Sequence, residues 1–62
     1  MNQDPLLNNA KQFMLETQIV SVAALQRKLR IGFNRGQKIM EQLEQEGILS
    51  RIGEFKWKIK GE

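Results

Sequence analysis

The chain contains no cysteine, no histidine and no tyrosine, and only one proline. Without cysteine there is no disulfide framework, and without cysteine and histidine there is no zinc finger, no haem ligation and no thiol or imidazole catalysis. Carboxylates, lysines and a few hydroxyls are the remaining catalytic material. A chain of 62 residues offers little cleft to shield them from water. The sequence therefore predicts a protein that is not an enzyme and carries no cofactor, metal or small-molecule substrate. A phosphate loop of the form G-x-x-x-x-G-K-S/T is also missing, since Gly32, Gly36, Gly47, Gly53 and Gly61 are scattered. No apolar run approaches the ~20 residues that span a bilayer, and no signal-peptide pattern opens the chain. The expectation is a cytoplasmic protein with no membrane partner.

What is present suits one small domain over residues 1–62. A chain of this size buries only about 60% of its unfolded surface, so its core is marginal and depends on well-capped helices. Apolar residues make up 40% and charged residues 27%, which places the chain among globular rather than disordered sequences. Ten basic and seven acidic residues give a net charge of +3.

That charge is unevenly placed. Between Thr17 and Met40 lie Arg27, Lys28, Arg30, Arg35 and Lys38, with no acid among them. Glu41, Glu44 and Glu46 follow without a base, then Arg51, Lys56, Lys58 and Lys60 against Glu54, and Glu62 closes the chain. Two basic blocks around an acidic one suggest a basic face with the acids turned elsewhere. A solvated surface that happens to cluster fits the charges equally well.

Asp4-Pro5 reads as a helix start, with aspartate as N-cap and proline at the first helical position. Leu6, Ala10, Phe13, Met14 and Thr17 then recur at helical spacing, predicting a first helix over 5–17. Ile19-Val20-Ser21-Val22 is short and β-branched and reads as an extended segment or small strand. A second helix follows through Ala23–Leu29, burying Val22, Leu25 and Leu29, and Gly32 is positioned to end it in a left-handed conformation. Asn34 opens a third helix over 34–46, with Gln37 completing an N-x-x-Q capping box and Gly47 closing it.

The third helix separates cleanly into two faces. Gly36, Ile39, Met40 and Leu43 fall on one side, and Asn34, Lys38, Glu41 and Gln45 on the other, flanked by Arg35, Gln37 and Gln42. The outer face presents amide, amine and carboxylate groups, the chemistry that reads base edges in a major groove, although an ordinary surface helix is polar there too. Beyond it, Gly53-Glu54 reads as a two-residue hairpin turn. That turn pairs Ile52 with Phe55, Ser50 with Trp57 and Ile48 with Ile59, and puts Arg51, Lys56, Lys58 and Lys60 together on the other face. Such a basic face answers an anion, or guards an edge strand against aggregation. Trp57 reads as core under the hairpin or, as the alternative, as part of an exposed interaction surface with Phe33. Three helices and a hairpin, with the second and third helices joined by a glycine-containing turn, predict an α+β winged helix-turn-helix.

Asp4-Pro5-Leu6, the run Gln26-Arg27-Lys28-Leu29-Arg30-Ile31-Gly32-Phe33-Asn34-Arg35, and Glu46-Gly47-Ile48-Leu49 together resemble the γ domain of FtsK/SpoIIIE-type DNA translocases. That family reads DPLYxxA, then SISxxQRxLxIGYNRAARxIExME, then GIV, so the likeness covers roughly residues 4–50. The resemblance implies a winged helix that recognises short, G-rich polar DNA sequences, orients a translocase motor and touches a tyrosine recombinase. It places the family's base-reading asparagine on Asn34, its arginine on Lys38 and its glutamate on Glu41, three residues also on the outer face derived from the helical wheel.

The departures have physical consequences. Gly36-Gln37-Lys38 stands where the family has Ala-Ala-Arg, and lysine is a point charge where arginine grips guanine bidentately. A preference for G-rich sites is then weaker or altered. Ala23 stands where a serine usually caps the second helix, which costs about 1 kcal/mol unless Ser21 takes the role. Phe55-Lys56-Trp57-Lys58-Ile59-Lys60 replaces the family's R-E-V-L ending.

The leading functional expectation is double-stranded DNA binding. Asn34, Lys38 and Glu41 face bases, and Arg27, Lys28, Arg30, Arg35, Arg51, Lys56 and Lys58 contact the backbone. In this arrangement Arg35 and the third helix's first amides hold a phosphate, while Glu41 accepts from cytosine or pairs with Lys38. The alternative is a protein-interaction winged helix docking on a recombinase or replication protein. The chain is either the C-terminal fragment of a translocase or a free-standing small protein of the same fold, and Met1-Asn2-Gln3 does not decide between a native start and an added initiator.

Overall fold

The computed structural model describes residues 4–61, so Met1-Asn2-Gln3 and Glu62, with the readings made on them, lie outside the described residues. Five elements follow in order: α1 Leu7–Thr17, α2 Val22–Leu29, α3 Phe33–Gln45, β1 Leu49–Gly53 and β2 Lys56–Ile59. The two strands form an antiparallel hairpin. Three helices and a hairpin in this order make an α+β winged helix.

One cluster of buried side chains ties the elements together. Leu7, Ala10 and Met14 come from α1, Val22 and Leu25 from α2, Ile39, Met40 and Leu43 from α3, and Leu49 and Trp57 from the hairpin. The face expected for α3 is the one buried, Gly36 included. On α1 the buried residue of the first turn is Leu7, with Leu6 only half-buried, and Thr17 is exposed. The Thr17 hydroxyl instead donates to the Phe13 carbonyl at 2.7 Å and accepts from the Ile19 amide at 3.1 Å.

Each helix boundary shows which backbone group needed a partner. Asp4 does not cap α1: its carboxylate accepts from the Leu6 amide at 2.9 Å and its carbonyl from Leu7, closing a turn ahead of the helix. Proline and Leu6 belong to that turn, and α1 starts two residues later than the proline suggested. Residues 19–21 belong to no strand, and Ser21 is extended. Their function is to bring Ser21 to the start of α2, where its hydroxyl accepts from the Ala24 amide at 3.2 Å. Ser21 thus supplies the cap that Ala23 cannot.

The turn between α2 and α3 departs further from expectation. Arg30, not Gly32, takes the left-handed conformation that ends α2, with φ 57°. Gly32 has φ −78° and serves as N-cap of α3, so Asn34 is the second helical residue and makes no capping box with Gln37. The Gln37 amide reaches forward to Glu41 at 3.5 Å instead. At the far end Gly47 has φ 81°, its amide bonds to Glu44 and the Ile48 amide to Leu43, a Schellman closure as expected for that glycine.

The hairpin has a different register from the one the Gly53-Glu54 turn predicted. Leu49 pairs with Ile59, Ser50 with Lys58, Arg51 with Trp57 and Gly53 with Lys56, with Ile52 as an extra residue in β1. The turn is therefore Glu54-Phe55. The reason is burial, because a one-residue slip exchanges the two faces of a strand. In the predicted register Leu49 and Trp57 would project to opposite faces. In the observed one both enter the core, at 1% and 4% exposure, and Ile52 and Phe55 are left outside.

Candidate nucleic-acid interface

Asn34, Lys38 and Glu41 lie at successive turns of α3 on the side away from its buried face, and the wheel reading of that stripe matches the structure. Asn34 and Lys38 are exposed, and Glu41 is half-buried. Lys38 has no ion-pair partner among the described residues. Of the two roles open to Glu41, pairing with Lys38 does not occur; its carboxylate takes the Gln37 amide instead. The stripe therefore offers an amide, a cation and an anion one helical turn apart, a pattern that can match donors and acceptors on base edges.

The basic residues do not all fall beside that stripe. Arg27 and Arg30 at the end of α2 are exposed, as are Lys56 and Lys58 on β2. Lys28 turns toward α1, with its ammonium 5.9 Å from the centre of the Phe13 ring. Arg51 does not join Lys58 on the outer face of the hairpin. It lies across from Trp57, holds its guanidinium 5.1 Å from the indole centre, and donates to the carbonyls of Gly53 and Glu54. Its charge ties down the turn of the wing.

Arg35 also has a partner that local sequence gave no sign of. Its Nε and Nη2 donate to the two carboxylate oxygens of Asp4, each at 2.8 Å, across 31 residues of chain. The hydrogen bond from Arg35 holds the Asp4 carboxyl below its usual range against a partial opposing effect of burial, with the Leu6 amide adding to the lowering. The guanidinium is held above its usual range by the same bond. Because Gly32 caps α3, Arg35 sits at the third helical position rather than the first, and its charge ties the turn ahead of α1 to α3. A second long-range bond fixes the other end of α3: Trp57 Nε1 donates to Glu44 Oε1 at 3.0 Å.

Residues 1–57 match the family described as the Ftsk gamma domain. The chain belongs to that family. Among curated relatives, a DNA translocase FtsK of Clostridium acetobutylicum is 47% identical over 49 residues, covering 79% of this chain and 6% of the relative. DNA translocase FtsK of Haemophilus influenzae is 45% identical over 47 residues, covering 76% of this chain and 9% of the relative. The same-named protein of Caldanaerobacter subterraneus is 52% identical over 48 residues, covering 77% and 7%. The γ-type chain thus spans less than a tenth of the curated relatives it matches. No solved structure matches it. The match extends through Trp57, and so includes both α3 and most of the wing.

Among the described residues no helix is long and apolar enough to cross a membrane, and no group of acids could hold a metal ion.

Proposed function

We propose that this FtsK gamma-type chain acts in the cytoplasm as a single, non-enzymatic winged-helix domain that binds double-stranded DNA. The reading rests on one observation above others: α3 turns Asn34, Lys38 and Glu41 to the side away from its buried face, and Lys38 has no ion-pair partner among the described residues. In this reading α3 enters the major groove and those three side chains meet base edges. Arg27, Arg30, Lys56 and Lys58 approach phosphates. Lys28 and Arg51 contribute after leaving their aromatic rings, and Arg35 after leaving Asp4. Short G-rich polar sites are the proposed targets, with discrimination softened by lysine at position 38.

The test is fluorescence anisotropy with a G-rich polar duplex and a scrambled duplex across a salt titration. Binding through several phosphates falls steeply with salt, by about 0.9 log units of affinity per log unit of salt for each contact. The expected result is a steep slope on both duplexes and tighter binding to the G-rich one. Absence of binding to either duplex at low salt would overturn the DNA reading in favour of docking on a recombinase or replication protein.

A further inference from the structure

Three large apolar side chains stand exposed at the place where the wing approaches the start of α3. Phe33 is 44% exposed, Ile52 59% and Phe55 50%. They are not scattered. The rings of Phe33 and Phe55 meet edge to face at 5.9 Å between centroids, and together with Ile52 they line a groove of about 440 Å³. Ser21 and Val22, at the start of α2, and Lys56 on β2 also line it.

A small domain gains nothing by exposing this surface to water. The bulge that buries Leu49 and Trp57 forces Ile52 and Phe55 outward, but nothing in it requires them to be apolar. Contiguous exposed apolar surface rimmed by polar groups marks a binding site. The groove's position and charge narrow the occupant. Phe33 directly precedes Asn34, so the groove opens beside the end of α3 that presents the base-reading stripe. Lys56 supplies a cation, and Glu54, though next to Phe55 in the turn, does not line it. Ser21 keeps its hydroxyl proton available, because its oxygen is what serves the Ala24 amide. A DNA strand presents apolar deoxyribose faces in alternation with phosphates, and the groove answers both. A second copy docked through this groove would bring its own Lys56 into the same small interface and add a like charge there.

We propose that this groove seats one sugar-phosphate strand of the duplex engaged by α3, with Phe33, Ile52 and Phe55 packed on deoxyribose and Lys56 and Ser21 on the adjoining phosphate. The inference rests on the DNA-binding reading and adds a component to it that salt does not screen. Neutral side chains release no counterions, whereas each lysine on a phosphate does.

The experiment is the same salt titration on Phe55→Ser, Ile52→Ser and Lys56→Ala, with thermal melting and sedimentation of each free protein. Both serine variants are expected to bind about five- to tenfold more weakly at every salt concentration, with the slope unchanged. Lys56→Ala should flatten the slope by about one unit. Both apolar residues are exposed, so melting is expected to stay cooperative, and Ile52→Ser carries the test if Phe55→Ser disturbs the turn. If the unaltered protein binds steeply with salt and both serine variants bind as it does, the groove proposal fails while the DNA reading stands. If the unaltered protein binds no duplex, both fall. A free protein that sediments as a dimer and becomes monomeric on Phe55→Ser would assign the groove to a second copy and overturn the proposal.

Discussion

Trp57 is the residue on which the wing depends. Its indole is buried, and its one polar atom is satisfied by Glu44 on α3. A buried indole without that acceptor would leave an unpaired donor. Trp57→Phe should therefore lower stability by about 1–2 kcal/mol in urea unfolding, through lost volume and the lost bond. Glu44→Gln, which keeps an acceptor oxygen, should cost less than Trp57→Phe. Asp4 makes a prediction of a different kind. Its carboxyl is lowered in the folded protein, first by the hydrogen bond from Arg35, so its contribution is fully present above the ordinary aspartate range and disappears as pH falls through the folded value. Asp4→Asn should reduce the melting temperature at pH 7, and the difference from the unaltered protein should close below about pH 4. A difference that persists unchanged into acid would mean that the Asn side chain disrupts the turn rather than the ion pair.

At the scale of elements, α2 ends at Arg30 in a conformation that glycine adopts freely and arginine does not. Arg30→Gly should raise stability by up to about 1 kcal/mol, since the left-handed conformation costs a non-glycine residue roughly that much. The same change removes an exposed cation, so duplex affinity should fall and the salt slope should flatten. Stability and binding moving in opposite directions is the outcome to look for in paired melting and anisotropy measurements. Within α3, Lys38→Ala should cost about 1–3 kcal/mol of binding to the preferred duplex and reduce the preference over a scrambled one. Lys58→Ala should weaken both duplexes alike. Equal losses for the two variants would remove the distinction between a reading helix and a wing that grips the backbone.

For the whole molecule under the proposed DNA reading, the one α3 of this chain would limit affinity, because duplex readers usually engage two half-sites. Two copies joined by a flexible linker should bind a duplex with two adjacent sites about a hundredfold more tightly than one copy binds one site. No gain on such a duplex would show that one copy blocks the neighbouring site.

The sequence determined by itself whatever depends on near neighbours along the chain. Helical periodicity selected the buried face of α3, and so also the outward stripe of Asn34, Lys38 and Glu41. Gly47 marked the end of that helix, and Ser21 could be foreseen as the substitute cap of α2. The order of elements followed from these signals, and with it the winged-helix layout. Tertiary structure decided whatever requires comparing distant groups. The hairpin register was chosen by burial of Leu49 and Trp57 beneath α3, which outweighed the turn preference of Gly53-Glu54. Gly32 became the cap of α3, and Arg30 took the left-handed position at the end of α2. Asp4 found Arg35 only once α1 lay against α3. The apolar groove between Phe33 and Phe55 likewise joins residues that no local pattern relates. On a helix, local spacing fixes which way a side chain faces; in the hairpin packing decided even that, and everywhere packing fixes what a side chain meets.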